Sequence, residues 1–158
     1  LQKFCVISLT QGGKHADNTV DLQEFMIMPT GACCLEKGIR MCAEVYQHLK
    51  LLLREKGLST AVGDEGGFAP DLSDSEEVLT LIVHAVEKAG YKKVVLRPLM
   101  VVAGDHANND MAGDDDDSWL SMFKASGKFD SVDTQITGLG EIKDIQQIYV
   151  DHTAEAMK

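Results

Sequence analysis

The strongest restriction on the fold lies in residues 62–72, whose sequence is VGDEGGFAPDL. Gly66 and Gly67 allow the backbone to adopt positive φ or to approach a neighbour closely, and a proline three residues later prevents regular structure from continuing. Asp64 and Glu65 stand directly before the two glycines. The segment therefore predicts a shaped loop that carries two adjacent carboxylates.

Strand patterns flank this loop on both sides. Residues 3–9 (KFCVISL) are rich in β-forming side chains and end before a glycine pair, and residues 22–28 (LQEFMIM) end at a proline. Residues 94–96 predict a third strand. Weaker patterns at 134–139 and 148–150 predict two further short strands.

Two helices are predicted, one on each side of the acidic loop. Apolar residues recur at helical spacing over residues 35–56, and Gly57 follows as a stop signal. Ser73 and Glu76 form a capping box at the start of the second helix, which ends at Gly90. The order strand, strand, helix, loop, helix, strand predicts a mixed α/β fold, in which functional loops gather at strand ends.

Composition limits the class of protein and its partners. The chain has 158 residues, which is the size of one domain. It has 25 acidic and 15 basic residues, and a net charge of −10 argues against binding of nucleic acid or anionic membrane. No apolar run approaches the roughly 20 residues of a membrane span, and the N-terminal sequence lacks the pattern of a signal peptide. We therefore expect a cytoplasmic protein.

Four cysteines are present, at positions 5, 33, 34 and 42. They have neither paired CxxC spacing nor the density of a secreted disulfide scaffold. We expect reduced thiols that lie mostly in the core, because free cysteine is among the most often buried residue types.

Three segments together point to a family. They are GGKHADN at 12–18, LQEFMIMPTGA at 22–32 and VGDEGGFAPDL at 62–72. In this order they resemble enolase, the glycolytic lyase also called phosphopyruvate hydratase, with a bacterial character. The resemblance is strongest over residues 12–91.

The resemblance implies a fold. The second domain of enolases is a TIM-like barrel that begins with two strands and two helices. A complete barrel takes about 200 or more residues, so the resemblance implies an incomplete α/β barrel of the enolase type. We assign residues 1–104 to this partial barrel and residues 105–158 to a divergent acidic segment with weaker resemblance. Because an incomplete barrel exposes strand edges, we expect self-association or docking on another chain.

The resemblance also implies a reaction. Enolases dehydrate 2-phosphoglycerate to phosphoenolpyruvate by means of a lysine base, two Mg²⁺ ions and an acid for the leaving hydroxyl. Glu65 matches this acid, the proton donor, and its neighbour Asp64 favours the protonated form if both share a site. His15, Gln23 and Glu24 match substrate-binding positions. Because a strand directs neighbouring side chains to opposite faces, either Gln23 or Glu24 can be the one that reaches the substrate.

The family's metal ligands are not matched. Met100, in LMVVAGD, stands where a metal-binding aspartate is expected, and Asn109 and Leu139 align with the other two ligand positions. A thioether is a poor ligand for Mg²⁺, so we predict no metal ligand, although the family implies Mg²⁺ as cofactor. No catalytic lysine can be matched. The acidic run at 114–117 lacks the ligand spacing of a calcium loop and is interpreted as a solvated loop.

Two hypotheses follow for the function. In the first, the chain is an enolase by descent, with 2-phosphoglycerate and phosphoenolpyruvate as its substrate and product. As an isolated chain it is then inactive, because its metal ligands are lost. In the second, it is a non-catalytic, enolase-derived binding or interaction protein, or the remnant of a decayed gene.

Overall fold

The structure is a computed structural model that describes residues 7–11 and 24–158. The chain divides into two compact units, Leu1–Tyr91 and Lys92–Lys158. The boundary predicted at residue 104 concerns resemblance to the family rather than compactness, and it stays a prediction.

The first unit begins with an antiparallel strand pair. Strand β1 is Ile7–Gln11 and strand β2 is Glu24–Ile27. Gln11 pairs with Glu24, and the register shifts between Ser8 and Thr10. Both predicted strands are thus present, although the positions 3–6, 22 and 23 lie outside the described residues.

Helix α1, Leu35–Glu55, has the amphipathic character that the sequence predicts. Its buried residues recur every three or four positions and so form one face: Gly38, Cys42, Val45, Leu49 and Leu53. The helix ends at Glu55, and Gly57, the residue after the C-cap Lys56, has φ 73°. Gly57 N–H donates to the Arg54 carbonyl and Leu58 N–H to the Leu53 carbonyl, the paired hydrogen bonds of a Schellman motif.

Helix α2, Ser75–Lys88, packs against α1 with a strongly apolar face. Its N-cap lies one residue later than predicted, because Glu77 N–H donates to the Asp74 carboxylate (2.8 Å). The Glu77 carboxylate in turn accepts from the N–H of Ser73, the residue before the cap (3.3 Å). The prediction of Ser73 as the cap is therefore wrong. A carboxylate at the cap also interacts favourably with the positive end of the helix dipole, which a neutral hydroxyl does not.

The second unit is built on a parallel strand pair, β3 (Lys93–Leu96) and β4 (Ser131–Thr134). A π-helical turn, Ala107–Met111, and helix α3, Trp119–Ala125, connect the two strands. Helix α3 packs against β4 and buries Phe123. The strand predicted at 94–96 is confirmed.

The chain after β4 differs from the prediction. It forms a 3₁₀ turn, Leu139–Glu141, and then helix α4, Lys143–Ala156. The strand predicted at 134–139 ends at Thr134, and the strand predicted at 148–150 is wrong because these residues lie within α4. None of the residues of α4 is buried. An exposed segment without a strand beside it satisfies its backbone polar groups internally, as a helix does.

The architecture is therefore mixed α/β. Within the described ranges the four strands form two separate two-stranded sheets rather than a closed barrel. This confirms the predicted fold class and the start of two strands followed by two helices. In the same ranges, no helix combines the length and apolar character needed to span a membrane.

Candidate functional site

The acidic loop forms a tight turn. The Gly66 N–H donates to the Gly63 carbonyl (3.1 Å), and the Gly63 N–H donates to the Gly67 carbonyl (2.9 Å). Gly66 has a backbone φ of 89°, which residues other than glycine rarely adopt. The pattern is that of a three-residue hairpin loop whose last residue is left-handed. Asp64 and Glu65 occupy its two leading positions and are exposed.

Phe68 anchors this turn to strand β1. Its N–H donates to the Leu9 carbonyl (2.9 Å), and it pairs with Thr10 in the parallel sense. The Phe68 side chain is only 1% exposed. The acidic turn is therefore attached to the sheet through a buried aromatic residue.

Tyr46, on helix α1, supports the turn from another side. Its ring stacks on Phe68 with 4.2 Å between centroids, and its hydroxyl donates to the Gly66 carbonyl (3.1 Å). Burial raises the pKa of the Tyr46 hydroxyl, so the group remains protonated and able to donate. The carbonyl of the left-handed glycine is thus fixed by a hydrogen bond from the long helix.

Glu24 is the second predicted site residue within the described ranges. It is half-buried at the first position of β2, opposite Gln11 of β1. Strand β1 pairs with β2 along one edge and with Phe68 along the other, so Glu24 and the acidic turn are carried by the same central strand. His15 and Gln23 lie outside the described residues. A site shared by all four residues stays a prediction.

Two buried hydroxyl groups on β1 were missed by the sequence analysis. The side-chain oxygens of Ser8 and Thr10 are buried, and they have no hydrogen-bond partner within the part of the chain that the structure describes. A buried hydroxyl without a partner is costly. The signal in the sequence was the pair of polar residues at 8 and 10 inside an otherwise apolar run. Both lie on the strand that carries the acidic turn.

In the second unit, the positions of Met100 and Leu139 lie side by side. The Leu139 N–H donates to the Met100 carbonyl (2.8 Å), and the next amide, of Gly140, donates to the Val101 carbonyl (2.9 Å). Gly138 permits this approach, because a Cβ there would lie 2.6 Å from the Val101 carbonyl oxygen. The pairing begun by β3 and β4 thus continues beyond the ends of both strands.

A model of one protein family matches most of this chain. Its description is enolase, C-terminal TIM barrel domain, and it matches residues 4–151. The chain belongs to the enolase family. The match extends the resemblance from the motifs between residues 12 and 91 into the second unit, so that the divergent acidic segment up to residue 151 is part of the enolase match.

Enolases use Mg²⁺, and the positions aligned with its ligands can be tested for fit. The side chains of Met100 and Leu139 offer a thioether and an isobutyl group, neither of which is an oxygen donor for a hard cation. The Asn109 side-chain amide donates to the Asp105 carboxylate (2.6 Å) within the π-helical turn. The side chains of Met100 and Leu139 therefore do not fit Mg²⁺, and Asn109 offers a single neutral amide oxygen in place of a carboxylate.

The surroundings of Asn109 are acidic without forming a metal centre. His106 and Asp110 form an ion pair, and this hydrogen bond raises the pKa of the His106 imidazole. In residues 7–11 and 24–158, no three or more histidine, cysteine, aspartate or glutamate side chains are grouped so as to hold a metal ion. Asp105 and Asp110 are therefore engaged in hydrogen bonds along their own helical turn.

The expectation of mostly buried cysteines is wrong for two of the four. Cys42 is fully buried on α1, but Cys33 and Cys34 are free and exposed. Position 5 lies outside the described residues. Cys33 and Cys34 precede α1 at the surface, where the chain leaves the turn after β2, and apolar character alone does not bury residues at such a position.

Proposed function

We propose that this enolase-family chain retains the acid-bearing side of an enolase site but does not, in isolation, convert 2-phosphoglycerate into phosphoenolpyruvate. The observation that carries the proposal is the pairing of Met100 with Leu139. The backbone brings two aligned ligand positions together, and neither side chain can coordinate Mg²⁺. A glycolytic ancestry and a cytosolic location belong to the same proposal.

In this proposal Glu65 is the proton donor for the leaving hydroxyl. Its position on a turn fixed by Phe68 and Tyr46 supports the role, since an acid catalyst must be held within hydrogen-bond reach of the atom that it protonates. Glu24, beside β1, contributes to substrate binding, together with His15 and Gln23. The hydroxyls of Ser8 and Thr10 are further candidates for polar contacts to a ligand at this strand.

Charge explains why the acid alone does not suffice. Removal of a proton next to a carboxylate concentrates negative charge on the substrate, and this charge must be stabilised in the transition state. The chain has a net charge of −10, and Asp64 stands beside the proposed acid. Without carboxylate ligands for a divalent cation at the aligned positions, the anionic intermediate is left unstabilised.

The test is direct conversion of 2-phosphoglycerate in the presence of Mg²⁺, followed by the ultraviolet absorbance of phosphoenolpyruvate. We expect the rate of the wild-type chain to equal that of Glu65→Gln and of a blank without protein. A wild-type rate that is clearly above the blank and that disappears in Glu65→Gln would refute the proposal of inactivity while confirming the role of Glu65.

A second candidate is a non-catalytic interaction protein, and a specific observation favours it. From the third residue of β3 onward, four large apolar side chains within eight residues are more than half exposed: Val95, Leu99, Val101 and Val102. Exposed apolar patches of this kind mark association surfaces. Light scattering over a wide concentration range tests self-association, and a monomer at every concentration would count against self-association as the use of this surface.

A further inference from the structure

A groove lies in the first unit at the N-terminal end of helix α1, with a volume of about 600 Å³. Three sulfur-bearing side chains line it: Cys33, Cys34 and Met41. Lys37 and Arg40 line the same groove. None of these residues has a role in the function proposed above.

The two thiols are placed to bind one ion. The Cys33 thiol donates towards the Cys34 sulfur, with 4.0 Å between the Sγ atoms. Two metal–sulfur bonds of about 2.3 Å span at most about 4.6 Å when collinear and about 3.8 Å at a tetrahedral angle. The observed separation lies within this interval, so both sulfurs can bind the same ion without rearrangement of the backbone.

The environment of Cys34 favours the thiolate, the form that binds metals. Cys34 is the N-cap residue of α1. The backbone N–H of Lys37 is the largest cause that lowers the pKa of the Cys34 thiol, followed by the Cys33 thiol, while burial opposes them.

The ligand set indicates which ion would bind. Thiolate and thioether ligands select soft ions such as copper(I). Zinc instead requires a fourfold set of nitrogen, sulfur or carboxylate ligands. No group of even three His, Cys, Asp or Glu side chains is placed for a metal within the described ranges. Two thiolates and one monovalent ion carry a net charge of −1, which the ammonium group of Lys37 offsets at the same groove.

We propose that Cys33, Cys34 and Met41 form a binding site for one monovalent soft metal ion of the copper(I) class. Each thiol releases its proton to solvent as its sulfur binds the ion, with no change of oxidation state. Arg40 donates to the Glu44 carboxylate (2.8 Å), and Glu44 also accepts from the Tyr91 hydroxyl (2.8 Å). These two contacts engage Arg40 and Glu44, and Lys37 is the other cation that lines the groove.

The test is an anaerobic titration of copper(I) against a chromogenic copper(I) chelator. The reference protein is Cys5→Ser/Cys42→Ser, in which Cys33 and Cys34 are the remaining thiols. We expect one copper(I) per chain and thiolate charge-transfer absorption in the ultraviolet. Cys33→Ser or Cys34→Ser should weaken binding by about 100-fold, and Met41→Leu by about tenfold.

Circular dichroism of each variant establishes that it is folded, and the single variant Cys42→Ser should bind as the wild type does. Three outcomes would overturn the proposal. The first is a copper(I) affinity of the Cys33→Ser/Cys34→Ser variant that equals the affinity of the wild type. The second is one ion shared by two chains, and the third is tighter binding of zinc(II) than of copper(I) by the same thiols. The enolase assay is independent of each of these readouts.

Discussion

The acidic turn at residues 63–67 differs from the paired segment, in which residues 139–140 donate hydrogen bonds to residues 100–101, in the way its backbone is held. The turn keeps both the family's side chains and a backbone fixed by buried aromatic packing. In the paired segment two stretches of chain approach closely, and the side chains of Met100 and Leu139 there are not oxygen ligands. The turn is thus held by aromatic packing, whereas the paired segment is held by main-chain hydrogen bonds at a glycine.

The largest expected effect concerns the packing of the acidic turn. Phe68→Ala removes a buried ring that stacks on Tyr46, and should lower the free energy of unfolding by about 3–5 kcal/mol. Urea denaturation measures the loss. The matched control is Phe129→Ala, since Phe129 stacks on Phe123 in the second unit but is only half-buried. An equal or greater loss in the control would show that burial at the turn is not special.

Gly138 tests the close approach in the second unit. Gly138→Ala places a Cβ 2.6 Å from the Val101 carbonyl and 2.9 Å from the Ala103 amide nitrogen, so we expect a loss of about 1–3 kcal/mol. Gly104→Ala is the control, because a Cβ at Gly104 would have no atom within 4 Å. Thermal unfolding of the two variants should differ clearly. Identical midpoints would mean that residues 138–140 do not pack on residues 101–103.

Restoring carboxylates would test the contrast between the two regions directly. In Met100→Asp/Leu139→Asp, two carboxylates are carried by backbones that already share a hydrogen bond, so Mg²⁺ should raise the thermal midpoint of the variant. At a concentration several times the dissociation constant, the stabilisation is about 1 kcal/mol. The wild type and Met100→Asn/Leu139→Asn serve as controls. A variant indifferent to Mg²⁺ would show that backbone placement alone does not restore the site.

The smallest effect concerns pH. The hydrogen bond that the His106 imidazole donates to the Asp110 carboxylate raises the pKa of His106 above its ordinary value of 6.5. A raised pKa in the folded state means that the pair's stabilisation is fully present below pH 6.5 and is lost as the pH rises through the folded-state pKa. An NMR titration of His106 should give a midpoint above 6.5, and Asp110→Asn should lower it. A midpoint unchanged by Asp110→Asn would contradict the assignment.

Local sequence was sufficient to predict an element and its bounds where one physical signal acts alone. The apolar spacing of α1 gave its start at Leu35 and its end near Gly57, because an amphipathic helix buries one face whatever its partner. Local sequence was insufficient to predict the N-cap of α2. Ser73 and Asp74 can both cap a helix, and the structure has the carboxylate of Asp74 in that role. Local sequence also failed at 148–150, where β-forming residues lie in an exposed helix.

In the candidate site, too, some features could be predicted from local sequence and others could not. The order of the three motifs was enough to predict the family, and adjacent acidic and glycine residues were enough to predict the turn that carries Glu65. The sequence did not predict that Phe68 would anchor this turn to β1, or that Tyr46 would donate to Gly66 from a helix about twenty residues away. Such contacts depend on long-range packing, which local propensities do not encode.

What the sequence determined by itself was the family and the start of two strands and two helices, and it predicts the replacement of metal ligands at the aligned positions. Tertiary structure alone decided which of those positions meet, that Ser8 and Thr10 bury their hydroxyls, and that Cys33 and Cys34 face one groove together. Local preferences act through neighbours in the chain, whereas burial and pairing depend on which distant segments meet in space. The acidic turn was predictable because its glycines act locally, and its attachment to β1 was not.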